Sequence, residues 1–241
     1  MHLMINLDST VRALEGADGM REAWSGVAEK GYAVVRDTDL GLSPTLRTHF
    51  SERYFNDEVL EVDVAGVHKD RDRARDVVRY EWNGRSLSLA EYHTVTIQDR
   101  SGYVAARDHK RVELLSDPRA AEWITAALTL VPPRFRQPIG TFGINFFRTR
   151  TTVVSGPHHD DEEFCLVYVV DKIGDGAQTR LHDTDEAQTV KLRHTLEPGE
   201  MLIFRDAQYL HDVTPLEADG STHCHRDAIV CTVNYRDTYP L

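Results

Sequence analysis

Pro157-His158-His159-Asp160-Asp161-Glu162-Glu163-Phe164 runs straight into Cys165-Leu166-Val167-Tyr168-Val169-Val170. The apolar run Phe164 to Val170 is short, unbroken and rich in β-branched and aromatic residues, which reads as a buried strand. The two histidines and two aspartates stand at its edge. Side chains alternate along an extended segment, so residues i and i+2 point to the same side. The stretch therefore offers two pairs, His158/Asp160 and His159/Asp161. Only one of them can face a metal, and the other faces away. A His-x-Asp pair at a strand edge plus one distant His is the ligand set of a 2-His-1-carboxylate facial triad. Such a triad holds Fe(II) on one face and leaves the opposite positions open for cosubstrate and oxygen.

The distant ligand is His211. It follows Met201-Leu202-Ile203-Phe204-Arg205-Asp206, a strand-like run after the Pro198-Gly199 turn, and precedes Asp212-Val213-Thr214-Pro215. Its separation from His158, 211 − 158 = 53 residues, accommodates a hairpin excursion that returns to the same sheet edge. One of the flanking aspartates, Asp206 or Asp212, is placed to orient an imidazole N–H. A triad iron needs an electron source to activate O2, and decarboxylation of 2-oxoglutarate provides one. The distal carboxylate of that cosubstrate calls for a fixed fork of donors, which favours Arg over Lys. Arg226 lies 226 − 211 = 15 residues after His211 on the next expected strand, where an antiparallel neighbour passes. Thr232, or Arg148 across the sheet, would add contacts.

Around this stretch the chain is strand-rich from Ile139 onward. The runs are Phe142 to Arg148, Phe164 to Val170, Thr179 to His182, Thr189 to Leu192, Met201 to Phe204 and Ala228 to Tyr235. Gly/Pro/Asp turns separate them. Upstream, the periodicity predicts a helix over Val11 to Lys30 closed by Gly31, and a strand Tyr32 to Arg36. A second helix is expected from Leu42-Ser43-Pro44 to Tyr54-Phe55, and a third from Asp117-Pro118 that Pro132-Pro133 ends. Asn83-Gly84 signals a hairpin turn. Helices first and many short strands after them indicate an α+β fold, mainly β, built on an antiparallel double sheet. There is no internal repeat, low-complexity tract or clear linker, so the expectation is one domain over 1–241.

The 241 residues can bury a sizeable core, and a net charge of 28 − 39 = −11 carries no basic stripe. A nucleic-acid partner is therefore not expected, and a small molecule is the default substrate. The sign-alternating cluster Lys69 to Asp76 reads as a solvated face or loop. No apolar run approaches a membrane span, and Met1 to Gly16 has no signal-peptide pattern. Cys165, Cys224 and Cys231 cannot all pair, which suits a reducing cytoplasm. His223-Cys224-His225 lacks a matching second pair for zinc and reads as a loop.

On these motifs the C-terminal half resembles the iron(II)/2-oxoglutarate-dependent dioxygenases. More narrowly, it is similar to the bacterial branch that hydroxylates free aliphatic amino acids such as isoleucine. The shared pattern is a Pro-led approach, His158-x-Asp160, two further polar residues, then Glu163-Phe164. It continues in Arg148 on the preceding strand, in Gly199 to Asp206, and in His211-Asp212-Val213-Thr214-Pro215. The resemblance implies a distorted double-stranded β-helix (a jelly roll, cupin-like) with N-terminal and flanking helices. The helical part would cover 1–135 and the β-helix core about 139–237. It sets the register at His158/Asp160, with His211 as third iron ligand and Arg226, Thr232 and Arg148 toward 2-oxoglutarate. It implies Fe(II), 2-oxoglutarate and O2 as cofactors, an amino acid or close derivative as substrate, and hydroxylation as the default outcome. Cyclisation or desaturation by the same chemistry is the alternative, and a homodimer is compatible with it. A cupin-like metal enzyme without 2-oxoglutarate would need His-x-His and a downstream Glu instead. Members of the family it resembles usually have Gly just after the aspartate, where this chain has Asp161.

Overall fold

The computed structural model describes residues 5–62, 71–92, 111–150, 156–186, 188–218, 220 and 223–234, and the backbone of 96–98 and 104–106. In chain order the helices are α1 (Asp8–Gly16), α2 (Asp18–Lys30), α3 (Leu46–Tyr54) and α4 (Pro118–Thr129). The strands before the core are β1 (Ile5–Asn6), β2 (Tyr32–Arg36), β3 (Glu61–Val62), β4 (Arg71–Asn83), β5 (Ser86–Glu91), β6 (Thr96–Gln98) and β7 (Val104–Ala106). The core strands are β8 (Ile139–Thr149), β9 (Phe164–Ile173), β10 (Asp175–Gly176), β11 (Gln178–Asp183), β12 (Val190–Thr195), β13 (Glu200–Arg205), β14 (Tyr209–Val213), β15 (Leu216–Glu217) and β16 (His225–Asn234).

The large sheet runs β1-β5-β4-β8-β16-β9-β13-β2, with β3 added to β4, and the small one runs β12-β11-β14. An antiparallel bridge between His158 and His211 adds one more extended segment to the small sheet. Alternation splits the large sheet into two faces. Ala74, Val78, Tyr80, Phe142, Ile144, Phe146, Leu166, Tyr168, Ile229 and Cys231 form the outer face and join one buried core with the helices. On that side Trp123 of α4 stacks 5.7 Å from Tyr168 and 5.7 Å from Phe50 of α3. Cys165, Val167, Val169, Leu202 and Phe204 form the inner face and meet Leu181 of the small sheet in a second, smaller core. The expected double sheet with N-terminal and flanking helices is thus observed. At its mouth, two segments of the small sheet come side by side.

Three details differ from the sequence expectation. The helix predicted over Val11 to Lys30 is two, because Ala17 is extended (ψ 141) and caps one while starting the other. The break lets α1 pack on α4 while α2 follows β2. The second helix begins at Leu46 rather than near Ser43. The largest correction concerns the charged cluster: Arg71 to Asp76 is no solvated loop but the first half of β4, between β5 and β8. Asp72, Arg73, Arg75 and Asp76 are all buried. Its sign alternation is a strand's two faces, each with its own partners. On one face Asp72 pairs with Arg150 at 2.5 Å and Asp76 with Arg111 at 3.1 Å, while on the other Arg73 donates to Asn145 at 2.9 Å. Lys69, Asp70 and Tyr235 lie outside the described residues.

Candidate metal centre

His158 and His211 face each other across a narrow antiparallel bridge. The His158 N–H donates to the His211 carbonyl (3.1 Å), and the His211 N–H returns the bond (2.9 Å). Directly opposed residues place their side chains together, and the two rings sit 4.4 Å apart. Nδ1 of His158 is 2.9 Å from the Gly156 carbonyl. A carbonyl only accepts, so Nδ1 carries the proton and Nε2 presents its lone pair. That Nε2 is 3.7 Å from Asp160 Oδ1, and His211 Nε2 is 3.6 Å from Asp160 Oδ2. One donor atom from each of the three residues falls within 4.8 Å of the others. Two N or O ligands of a single transition metal stand at most about 4 Å apart, and the contacts of Asp160 with both histidines meet that spacing. Half-exposed His158 and Asp160 leave the cluster open on one side.

Asp206, 1 % exposed, organises this mouth. Its carboxylate accepts the N–H groups of Asp160 (3.1 Å) and Glu162 (3.2 Å) and stands 3.6 Å from His211 Nδ1. Burial works against its charge, but the His211 imidazole and the two N–H groups outweigh that and hold its pKa below the ordinary carboxylate value. His159 turns toward Asp206 as well, 3.8 Å away, not toward the His158/Asp160/His211 cluster. Asp212, the other flanking aspartate, is committed to Arg180 (2.8 Å) and His182 (3.1 Å).

Arg226 extends β16 on the inner-face parity of Ala228, Val230 and Thr232. Its Nε and Nη2 are buried and make no hydrogen bond among the described residues. Loss of solvation alone lowers its pKa to about 10. Thr232 lies on the same face, paired with Gly143 on one side and Cys165 on the other. Cys165 Sγ is 3.6 Å from Asp160 Oδ2, so Thr232 is one strand from a residue that touches a candidate ligand. Arg148 is engaged elsewhere: its fork clasps Asp227, with Nε–Oδ1 at 2.8 Å and Nη2–Oδ2 at 2.6 Å. That fork also occupies a second His/Asp grouping, Asp171, His225 and Asp227. His225 and Asp171 bond to each other there at 3.0 Å, which makes the grouping an ion-pair cluster. Burial raises the thiol pKa of Cys165 and Cys231 well above normal, and both are free and inert. The sequence reading passed over Arg73, Arg75 and Asn145, which share the inner face. A period-two reading of the charged cluster would have found the arginines.

Comparison with known proteins adds an independent line. Residues 66–232, more than half of the chain, match the 2OG-Fe dioxygenase family. Among solved structures, a bsmA homolog from Methylobium petroleophilum PM1 superposes with a TM-score of 0.74 at 19 % identity, covering 92 % of this chain and 95 % of that one. IDO from Bacillus thuringiensis gives 0.69 at 17 % identity, with 91 % and 96 % covered. The Fe(II)/α-ketoglutarate-dependent dioxygenase TqaL gives 0.69 at 15 %, with 94 % and 89 % covered. At these identities the superpositions speak for the fold, a jelly roll. No curated protein sequence matches the chain. Fold and family match together define a non-haem iron oxygenase of the double-stranded β-helix class. The chain belongs to the 2OG-Fe dioxygenase family, an enzyme that uses Fe(II), 2-oxoglutarate and O2.

Proposed function

We propose that the protein oxidises an aliphatic C–H bond of a free amino acid or a close derivative, with hydroxylation as its outcome. The amino-acid part of this reading is carried by the resemblance of the His158 to Phe164 stretch to the amino-acid hydroxylases, and the iron and cosubstrate part by the conjunction of two features. One is the His158/Asp160/His211 cluster at the mouth of the β-helix; the other is the buried guanidinium of Arg226 on the inner face, whose Nε and Nη2 make no hydrogen bond among the described residues. In this reading His158, Asp160 and His211 hold Fe(II), and Arg226 takes the distal carboxylate of 2-oxoglutarate. The bound metal supplies oxygen activation, coupled to decarboxylation of the cosubstrate to succinate. The chain's own residues orient and enclose. The Gly156 carbonyl fixes the His158 tautomer, and Asp206 holds the Asp160 backbone and the outer edge of His211. Apolar Phe204 and Val167 keep the inner face dry, which strengthens every charged contact inside it. Thr232 adds a hydroxyl beside the cosubstrate. Arg148 supports the site by securing Asp227 next to Arg226. With Asp160 as a ligand the metal would have no site left for a halide, which disfavours halogenation.

The test is succinate formation from anaerobically reconstituted Fe(II) protein, given 2-oxoglutarate and O2 with a panel of L-amino acids and derivatives. Substrate-dependent succinate should appear in wild type and in His159→Ala. It should fall to background in His158→Ala, Asp160→Ala and His211→Ala. Loss in His159→Ala with retention in His158→Ala would move the site to the other register. Turnover by no panel member would end the amino-acid reading.

A further inference from the structure

The large sheet touches the candidate ligands through one cross-strand pair. Cys165 of β9 stands opposite Phe204 of β13, and both are buried on the inner face. The Phe204 ring lies 5.0 Å from the His211 ring, and Cys165 Sγ lies 3.6 Å from Asp160 Oδ2. The two contacts differ in what they add. His211 has its backbone in the bridge to His158 and its Nδ1 beside Asp206, so its ring is placed from two other sides as well. Asp160 is anchored by its backbone: its N–H donates to Asp206, while its side chain is about one-third exposed. The torsion that turns a carboxylate about its last bond is broad and shallow, so the backbone does not decide how the two oxygens are presented. Among the described residues, the Cys165 thiol makes the one hydrogen bond that this carboxylate accepts. A metal-binding carboxylate is acceptor-only, so the S–H is the donor.

We propose that Cys165 is a positioning residue for the metal centre: its S–H holds Oδ2 of Asp160 and fixes the rotation of that carboxylate between the two histidines. The assignment rests on the reading that His158, Asp160 and His211 hold Fe(II), and Cys165 acts on the metal only through Asp160. Oδ1 lies 3.7 Å from Nε2 of His158 and Oδ2 lies 3.6 Å from Nε2 of His211, so any turn of the carboxylate changes its spacing to both rings. The sulfur is a fixed point from which to hold it. Cys165 is 1 % exposed and is paired on both sides, to Phe204 and to Thr232. Its bond runs from the large sheet to a segment that the small sheet carries, so it ties the ligand set to the rigid part of the fold. Carboxylate ligands of metals are themselves hydrogen-bonded, and the partner governs how tightly the ion is held. Cys231 supplies the contrast within the same chain: equally buried and equally unpaired with sulfur, it belongs to the outer-face core with the helices.

The experiment is an anaerobic titration of the metal-free protein with Fe(II), run in parallel with Co(II), whose visible bands report the geometry of the donor set. Cys165→Ala should weaken Fe(II) about 3- to 10-fold, the size expected when one hydrogen bond to a ligand is removed, and should shift the Co(II) bands. Cys165→Ser keeps a donor in nearly the same volume. It should bring Fe(II) affinity back to within about twofold of wild type, and the bands with it. Cys231→Ala removes the same sulfur from the outer-face core; it should cost folding stability yet leave both metal readouts unchanged. Cys165→Val fills the space without a donor and should bind as weakly as the alanine variant. It decides the matter if the alanine variant does not fold. Wild-type affinity and bands in Cys165→Ala or Cys165→Val would overturn the inference. A serine variant as weak as alanine would overturn it too, because the space of the sulfur and not its proton would then be what counts. If Asp160→Ala bound Fe(II) as tightly as wild type, the ligand reading itself would fall, and the role of Cys165 with it.

Discussion

Asp161 carries a φ of +65, in the left-handed region that few non-glycine residues occupy. The reason lies in its neighbours. Reversal at 161 turns the N–H groups of Asp160 and Glu162 toward the same carboxylate, Asp206, and so fixes where the Asp160 side chain emerges. Aspartate tolerates this conformation through its short polar side chain, and glycine adopts it without steric cost. Asp161→Gly is therefore expected to leave stability within about 0.5 kcal/mol, whereas Asp161→Val should cost about 1–2 kcal/mol. Urea unfolding of the three proteins checks this, and equal loss in both variants would show that the aspartate side chain, not the backbone, is what matters. Asp206 is the larger liability. Asp206→Ala leaves two partly buried N–H groups without their acceptor and frees the outer edge of His211. It should cost about 2–4 kcal/mol and weaken Fe(II) binding about 10- to 100-fold. A metal titration that matched wild type would remove Asp206 from the site's support.

At the scale of elements, β4 shows what the sequence made legible and what it hid. Segments with one clean periodicity came through: the strand Phe164 to Val170, the helix capped by Asp117, and the hairpin at Asn83-Gly84. The grouping of His158, Asp160 and His211 was legible too, because it depends on strand alternation and one hairpin return. Pairing across the sheet was not. Arg148 clasps Asp227 because register places them opposite each other, and no spacing along the chain encodes that choice. The charges of β4 misled for a related reason: composition says solvated, while each charge had a partner on a distant element. Asp76 is the sharpest case. Fully buried, it accepts the N–H of Leu114 (3.0 Å) and pairs with Arg111, which also bonds Glu91 (2.8 Å). Burial, then the charge of Glu91, raise its pKa to about 7 against the pull of Leu114 and Arg111. A carboxyl raised in this way binds its proton more tightly folded than unfolded, so its contribution is full at low pH. That contribution is lost as pH rises from about 4 through about 7. The stability gap between wild type and Asp76→Asn should therefore narrow from about pH 5 to about pH 8, by on the order of 1–3 kcal/mol. A gap independent of pH would mean that Asp76 is ionised throughout.

For the molecule as a whole, the proposed ligands join parts that the fold alone holds lightly. His158 belongs to a segment tied to β14 by one two-bond bridge, His211 to the small sheet, and Arg226 to the large one. Metal bound by the first two fastens the mouth, and a cosubstrate reaching from that metal to Arg226 fastens one sheet to the other. Any ligand that binds only the folded state stabilises it by mass action. Anaerobic Fe(II) with 2-oxoglutarate at about a hundred times its dissociation constant adds about 2.7 kcal/mol, or about 5–11 °C in Tm for a chain of this size. The increments should separate by site. His211→Ala should lose the metal shift and, with it, the cosubstrate shift. Arg226→Met should keep the metal shift and lose most of the cosubstrate increment, since a methionine fills the space but offers no donor. Differential scanning fluorimetry under nitrogen measures all four combinations. A 2-oxoglutarate increment preserved in Arg226→Met would show that the buried guanidinium serves something other than the cosubstrate, while a metal shift preserved in His211→Ala would move the ion away from the histidine bridge altogether.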